Sequence, residues 1–217
     1  MQPDSVPMPA AVAARPRDER GFPVLAITPW TEGRPDFAVT SPSRILVCAV
    51  ERRCSICGLD LGRGPVWRVA AADEAAALAA DPVGLENAAP TVEPPGHRAC
   101  MLYAAVVCPW LARPNARRRL PVEQIGLRVA RGDPRGRVGE IGGAVVSFDT
   151  FEFTVTDRAE FRYRGLREFW PHLLGEEHLP ALRQICDESA DQAAATYPPW
   201  LGTDEAAAEA WARTYLV

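Results

Sequence analysis

The chain has 217 residues, a formal net charge of -4 and a pI near 5.5, and its 47% hydrophobic content allows a sizeable core. The basic excess of a general nucleic-acid binder is missing, and no apolar run approaches the roughly 20 residues of a membrane span. Met1–Arg20 offers Pro, Ala and charge where a secretory signal would need a continuous apolar stretch. Together these point to a cytoplasmic protein away from membranes, in a compartment where cysteines stay reduced and serve as metal ligands or buried apolar residues rather than disulfides.

In chain order, Met1–Arg20 reads as a disordered lead-in. Phe22–Thr28 (FPVLAIT) is a short apolar run that suggests a strand, broken by Pro29-Trp30. Arg44–Val50 (RILVCAV) is β-branched and apolar on both faces, the pattern of a buried strand. Leu59–Val69 holds Gly62, Arg63, Gly64 and Pro65 at its centre, a turn between two arms that predicts a hairpin. Asp73–Ala80 (DEAAALAA) predicts a helix with Asp73 near its N-cap and Asp81-Pro82 as its stop. Pro82–Gly96 reads as loop. His97–Val107 (HRACMLYAAVV) predicts a helix entered through Pro94-Pro95-Gly96 and stopped by Pro109. Gly143–Thr156 alternates as a strand, while Glu160–Trp170 fits either period. Leu179–Ala195 places Leu179, Leu182, Ile185 and Cys186 at helical spacing. A last helix is capped at Thr203, has Asp204 and Glu205 in its first turn, and carries Trp211, Tyr215 and Leu216 among its apolar residues.

Two short stretches carry chemistry. Cys54-Ser55-Ile56-Cys57-Gly58 presents two thiols from a tight turn, and the following Gly lets the backbone fold behind the sulfurs. His97 and Cys100 stand three apart in the first turn of a helix, on one face. Three thiolates and one imidazole complete a tetrahedron, and soft sulfur donors favour Zn2+ over calcium or magnesium. Zinc pairs are commonly separated by about 12–20 residues. The longer interval between Cys57 and His97 reads as an insertion carrying the Ala-rich helix. A redox Cys-x-x-Cys would open a helix, which Gly58-Leu59-Asp60 does not suggest. Four protein ligands close the coordination sphere, as in a structural site. Cys108 lies eight residues beyond Cys100, about 12 Å along a helix, too far to join the same ion. Cys108, Cys48 and Cys186 read as small buried residues.

The pattern Cys54-x-x-Cys57-Gly58, Glu93-Pro94-Pro95-x-His97-x-x-Cys100, Tyr103-Ala104 and Cys108-Pro109-x-Leu111 resembles a family of actinobacterial and actinophage proteins, over roughly Pro29 to Pro114. Phe153–Arg164 and the helical stretch after it are similar to that family's ending. The resemblance implies a shared metal site and brings no activity with it.

Arg113–Arg137 holds eight Arg against Glu123 and Asp133. Its Arg117-Arg118-Arg119 could grip phosphate, yet the stretch lacks the interleaved aromatics that base stacking needs and reads more simply as a solvated linker. His172 and His178, with Glu176 and Glu177 between them, read as surface histidines; a second metal or an acid–base pair is the sharper alternative. Phe169-Trp170 and Pro199-Trp200 read as packing residues.

The expected architecture is α+β: a treble-clef-like zinc module (knuckle, hairpin, helix) packed with a second small strand-and-helix lobe. Residues 1–20 form the lead-in, 21–112 the zinc module, 113–142 an Arg-rich linker and 143–217 the C-terminal lobe. The expected function is that of a zinc-stabilised interaction protein. Its partner is macromolecular, either protein or a nucleic acid engaged through Arg117, Arg118 and Arg119. The alternative is an enzyme, a nuclease or a small-molecule tailoring enzyme, that uses the zinc module as scaffold.

Overall fold

The protein was analysed as a computed structural model, which describes residues 3–80, 91, 93–108, 142–155, 159–188 and 197–216. The longest apolar run of the first half is a helix, α2, over Pro42–Val50. It was expected as a strand. The cue lies just ahead of the run: the Ser41 side chain accepts from the Arg44 backbone N–H, and Pro42 fits the first helical turn. Arg44 through Ala49 are all buried. A helix buried on every side carries no 3.6-residue signature, so its apolar run also satisfies the strand pattern.

Part of the expected lead-in, from residue 3 onward, carries regular structure. It includes a 3-10 turn at Pro3–Ser5 and a short helix α1 at Ala10–Ala13, and Val6 and Val12 join the core. This segment has no periodic apolar face of its own; distant contacts hold it. Arg15, 4% exposed, donates to the carbonyls of Val24 and Leu201. FPVLAIT forms no sheet strand, although it is tied to the chain around it. Pro23 bridges Arg17, and the Ala26 and Ile27 N–H groups donate to the carbonyls of Ile56 and Ser55. The two-residue strands β1 (Trp30–Thr31) and β2 (Arg34–Pro35) form a separate small ribbon.

The main sheet is antiparallel, with β4 (Gly143–Val155) between β3 (Val66–Ala71) and β5 (Ala159–His172). The predicted hairpin about Gly62–Pro65 does not form as such. β3 pairs with β4, from Val66↔Phe148 to Ala71↔Gly143, while the arm before the turn makes only the Arg53↔Asp60 bridge. A bulge between Ser147 and Phe148 shifts the β4–β5 register. Phe148, Phe151, Phe161 and Tyr163 then cluster, with ring centroids from 5.0 Å apart in the closest pair. This sheet draws strands from both sides of the 113–142 interval, so the two lobes separated on sequence share one sheet. The interval itself lies outside the described residues, apart from Gly142.

Two helices follow expectation. α3 covers Ala72–Ala80 and α4 covers Arg98–Val107. Residues 100 to 107 of α4 are buried, and the helix packs on β3 and on α5 (Leu179–Glu188). The last helix, α6 (Glu205–Arg213), is capped by Asp204, one residue after the expected Thr203. α6 lies against α2. The Arg44 side chain, fully buried, pairs with Glu205 at 2.8 Å, and Ser41 donates to the same carboxylate. Trp211 and Tyr215 are exposed, and both donate to Glu51 at the end of α2. The fold is mixed α+β, and among the described residues no helix is long and apolar enough to cross a membrane.

Candidate metal centre

The knuckle begins where α2 ends. The Arg53 N–H returns to the Cys48 carbonyl, and Cys54 N–H donates to Leu59 across the turn. Gly58 N–H closes onto the Cys54 carbonyl at 2.8 Å with φ +79°, a left-handed conformation that glycine adopts without penalty. Two connections bring the second ligand pair to this turn. Ser55 N–H donates to the Pro95 carbonyl at 2.9 Å. Gly96 and Trp67 exchange backbone hydrogen bonds at 2.8 and 3.0 Å, fastening the approach to α4 onto the edge of β3. A side chain at Gly96 would press on the site, because a Cβ there would stand 3.0 Å from Cys54 Sγ.

Cys54, Cys57, His97 and Cys100 therefore converge, their ligand atoms all within 4.8 Å of one another. A tetrahedral ion with bonds of about 2.3 Å to sulfur and 2.0 Å to nitrogen sets ligand–ligand edges of about 3.5–3.8 Å. His97 Nδ1 lies 3.4 Å from Cys57 Sγ and 3.8 Å from Cys100 Sγ, which brackets that range. The other ring nitrogen, Nε2, is 2.8 Å from the Asp60 carbonyl. A carbonyl only accepts, so Nε2 carries a proton and Nδ1 is the ring nitrogen that faces the sulfurs. This is the outer partner expected of a ligating imidazole. All three cysteines are buried. The four residues lie close enough to hold a metal ion.

The electrostatics describe a pocket that attracts positive charge. Burial would raise the Cys54 thiol, but hydrogen bonds from Cys100, Cys57 and His97 bring it well below the ordinary thiol value. At Cys57 the bond from Cys100 pulls downward, yet contact with Cys54 together with burial leaves the thiol raised. Cys100 is pushed well up by its bonds to Cys54 and Cys57 and by burial. Burial opposes the charged form of His97, and the contacts with Cys54 and Cys57 overcome it, lifting the imidazole to about 11. One sulfur thus favours the thiolate and the imidazole favours a cation. A divalent ion would take the thiolate directly and replace the proton that the His97 Nδ1 holds.

The other candidates separate from this centre. Cys48 is buried on α2 and is not one of the four; burial, then the charges of Cys54 and Cys57, push its thiol well up. Cys108 stands at the C-cap of α4 and Cys186 half-buried on α5. His172 and His178 are not surface residues. They are 3% and 4% exposed, with His172 Nδ1 2.9 Å from His178 Nε2, and His178 stacks on Trp170. The reason is tertiary: the turn after β5 folds back so that both rings face inward, which the run of charge around them conceals. Trp170 meets Trp67 edge-on at 5.8 Å, and Trp200 is fully buried, as packing residues should be. Arg117, Arg118 and Arg119 lie outside the described residues. The sequence reading missed the Asp60 carbonyl, which as a backbone atom leaves no residue signal, and Arg15, one arginine among many. Compared with known protein families, characterised proteins and solved structures, the chain finds no match.

Proposed function

We propose that the four residues hold one zinc ion in a closed structural site, and that the protein is a zinc-stabilised interaction protein with no chemistry at the metal. One observation supports this above the others: four soft donors converge at tetrahedral spacing with the imidazole already turned toward the sulfurs. Three thiolates and an imidazole suit zinc, and with four protein ligands no position remains for water or substrate. The module is treble-clef-like in the order of its parts. A knuckle at Cys54–Gly58 is followed by the Arg53↔Asp60 bridge and β3, and then by a helix that brings His97 and Cys100 at its start. Membership of the actinobacterial and actinophage family, and a cytoplasmic location, belong to the same proposal.

Metal analysis of the purified protein is expected to give about one zinc per chain. Folded protein with less than about a tenth of that would refute the site. Cys57→Ser or Cys100→Ser should unfold or aggregate the chain, since structural zinc contributes about 10–16 kcal/mol in small finger domains. Cys186→Ser should be mild, and equal behaviour of all three would overturn the ligand assignment. The partner is addressed by titrating single-stranded and duplex oligonucleotides at several salt concentrations. Affinity that falls steeply with salt, and is lost when Arg117, Arg118 and Arg119 are replaced by Ala, identifies a nucleic acid. Absence of binding at every salt concentration directs the search to protein.

A further inference from the structure

Three arginines are buried among the described residues, and they are treated differently: Arg68 is paired with Glu74. Arg44, with no exposed side-chain surface, is neutralised by Glu205 at 2.8 Å. Arg15 is 4% exposed and meets only backbone oxygens, the Val24 carbonyl through Nε at 3.0 Å and the Leu201 carbonyl through Nη1 at 2.9 Å. Its Nη2 is buried with no hydrogen-bond partner, and among the described residues no carboxylate pairs with it. A buried cation without a counter-ion is costly, and two carbonyls offset that cost only in part.

The position of Arg15 suggests its counter-charge. Both of its partners back directly onto the knuckle. The segment after Val24 donates through Ala26 and Ile27 to Ile56 and Ser55, between the two knuckle cysteines. The Leu201 side chain lies against Gly58, where an added Cβ would sit 2.3 Å from Cδ2. Arg15 is therefore clamped between the two segments that form the back wall of the metal centre. Resting on the zinc reading above, the charge count is simple: three thiolates, a neutral imidazole and a divalent ion leave a net charge of about −1 in a buried site.

We infer that Arg15 is the electrostatic counter-charge of the metal centre, a positioning residue whose guanidinium balances the surplus negative charge of the three-thiolate site from behind the knuckle. The electrostatic surroundings of Arg15 agree. Burial, then Arg44, lowers its pKa to about 10, and the groups acting in the opposite direction are Cys57, Tyr197 and Cys48. Nearby, burial and then Cys57 raise the Tyr197 hydroxyl, which donates to the Ala11 carbonyl at 3.0 Å.

The test varies the charge of the centre and of Arg15 together. Zinc affinity is measured by competition with a chromophoric chelator at fixed pH for the wild type, Arg15→Gln, Cys100→His and the double variant. Cys100→His turns the site into a neutral pair of thiolates and pair of imidazoles. In the wild-type centre Arg15→Gln should weaken zinc by about 10–100-fold, as lost outer partners of metal ligands do. In the Cys100→His background the loss should shrink to less than about threefold, and Arg15→Lys should lose less affinity than Arg15→Gln, because it keeps the charge although it gives up the forked contact with the two carbonyls. Equal losses in both backgrounds would mean that Arg15 merely holds the Val24 and Leu201 carbonyls, and no loss in either would remove it from the site; each overturns the proposal. If Arg15→Gln folds with zinc only when Cys100→His is also present, the proposal stands, and if neither form folds, it falls. A wild-type protein that takes up no stoichiometric zinc would instead sink the zinc reading itself, which the first measurement of the series distinguishes.

Discussion

Gly58→Ala is the sharpest structural test of how the knuckle is enclosed, because two separate costs can be assigned to it. The first is conformational: Gly58 has φ +79°, and a left-handed backbone costs an alanine about 1–2 kcal/mol. The second is steric. A new Cβ would stand 2.3, 2.4 and 2.8 Å from Cδ2, Cδ1 and Cγ of Leu201. Leu201 is 2% exposed and has nowhere to swing, so the overlap is overpacking, worth about 1–3 kcal/mol. The expected loss is about 2–5 kcal/mol, the sum of the two ranges. Gly62→Ala isolates the first cost, since Gly62 has φ +67° and no atom within 4 Å of an added Cβ. It should lose only about 1–2 kcal/mol. Leu201→Ala alone should cost about 2–5 kcal/mol through the cavity it leaves. In the double variant the new methyl enters that cavity, so the combined loss should fall short of the sum by about 1–3 kcal/mol. Urea denaturation of the four proteins, with midpoints compared at a common slope, measures each value. Gly58→Ala no worse than Gly62→Ala, or additivity within about 0.5 kcal/mol, would show that Leu201 does not close the back of the knuckle.

Glu205→Ala should destabilise the chain by about 3–5 kcal/mol, because it strands the Arg44 cation in the interior; Arg44→Met with Glu205→Leu should be far milder, and similar thermal melts for the two proteins would refute the buried pair. His178 is held at about 4 by burial and then by His172, below its unfolded value of 6.5. The unfolded chain therefore binds the proton first, and stability is present above pH 6.5 and lost as pH falls toward 4. At pH 5 the loss is about 2 kcal/mol, which lowers the melting temperature by about 4–8 °C relative to pH 7.5. His178→Gln should lack that share of the acid sensitivity, and an identical pH profile would refute it. Gly96→Ala brings a Cβ to 2.4 Å from Met101 Cε, which can move aside, and to 3.0 Å from Cys54 Sγ, which an ion held by the four proposed ligands would fix in place. Zinc affinity should drop about tenfold or more with the circular dichroism unchanged, since coordination tolerates only about 0.2 Å; wild-type affinity would contradict the placement of Gly96.

The site was legible in the sequence because ligand chemistry is local. Two soft donors three apart, once in a Gly-closed turn and once at a helix start, retain their meaning whatever the rest of the chain does. The same holds for α3 and α4, whose breakers and helix formers stand inside or beside the elements. α2 was misread because a helix buried all round loses its periodicity, and only Ser41-Pro42 ahead of it points the other way. The burial of Val6, Val12 and Arg15, and of the His172–His178 pair, was hidden for a different reason: distant partners bury them. Arg15 meets Val24 and Leu201, and the two histidines meet each other across a turn. Neither fact is written in the nearby residues, where Pro, Ala and charge suggest solvent.

The long interval between the ligand pairs can also be accounted for. Cys57 and His97 are 40 residues apart, and closing a free loop of that length would add to the cost of every metal-binding event. The interval is not free. β3 lies within it, is held in the sheet by β4, and binds Gly96 through the paired backbone hydrogen bonds of Trp67. Seen from the metal, the path from Cys57 to His97 runs ten residues to Trp67 and then crosses at once to the residue before His97. Because closure entropy grows as (3/2)RT ln n, shortening the effective loop from forty residues to ten removes about 1.2 kcal/mol of ordering cost. The fold meets that cost in the sheet, ahead of any ion that the proposed site would take. The spacing that looks anomalous for a zinc site in one dimension is therefore ordinary once β3 is paired, and the stability of the proposed metal centre would depend on a strand, β4, that begins only at Gly143.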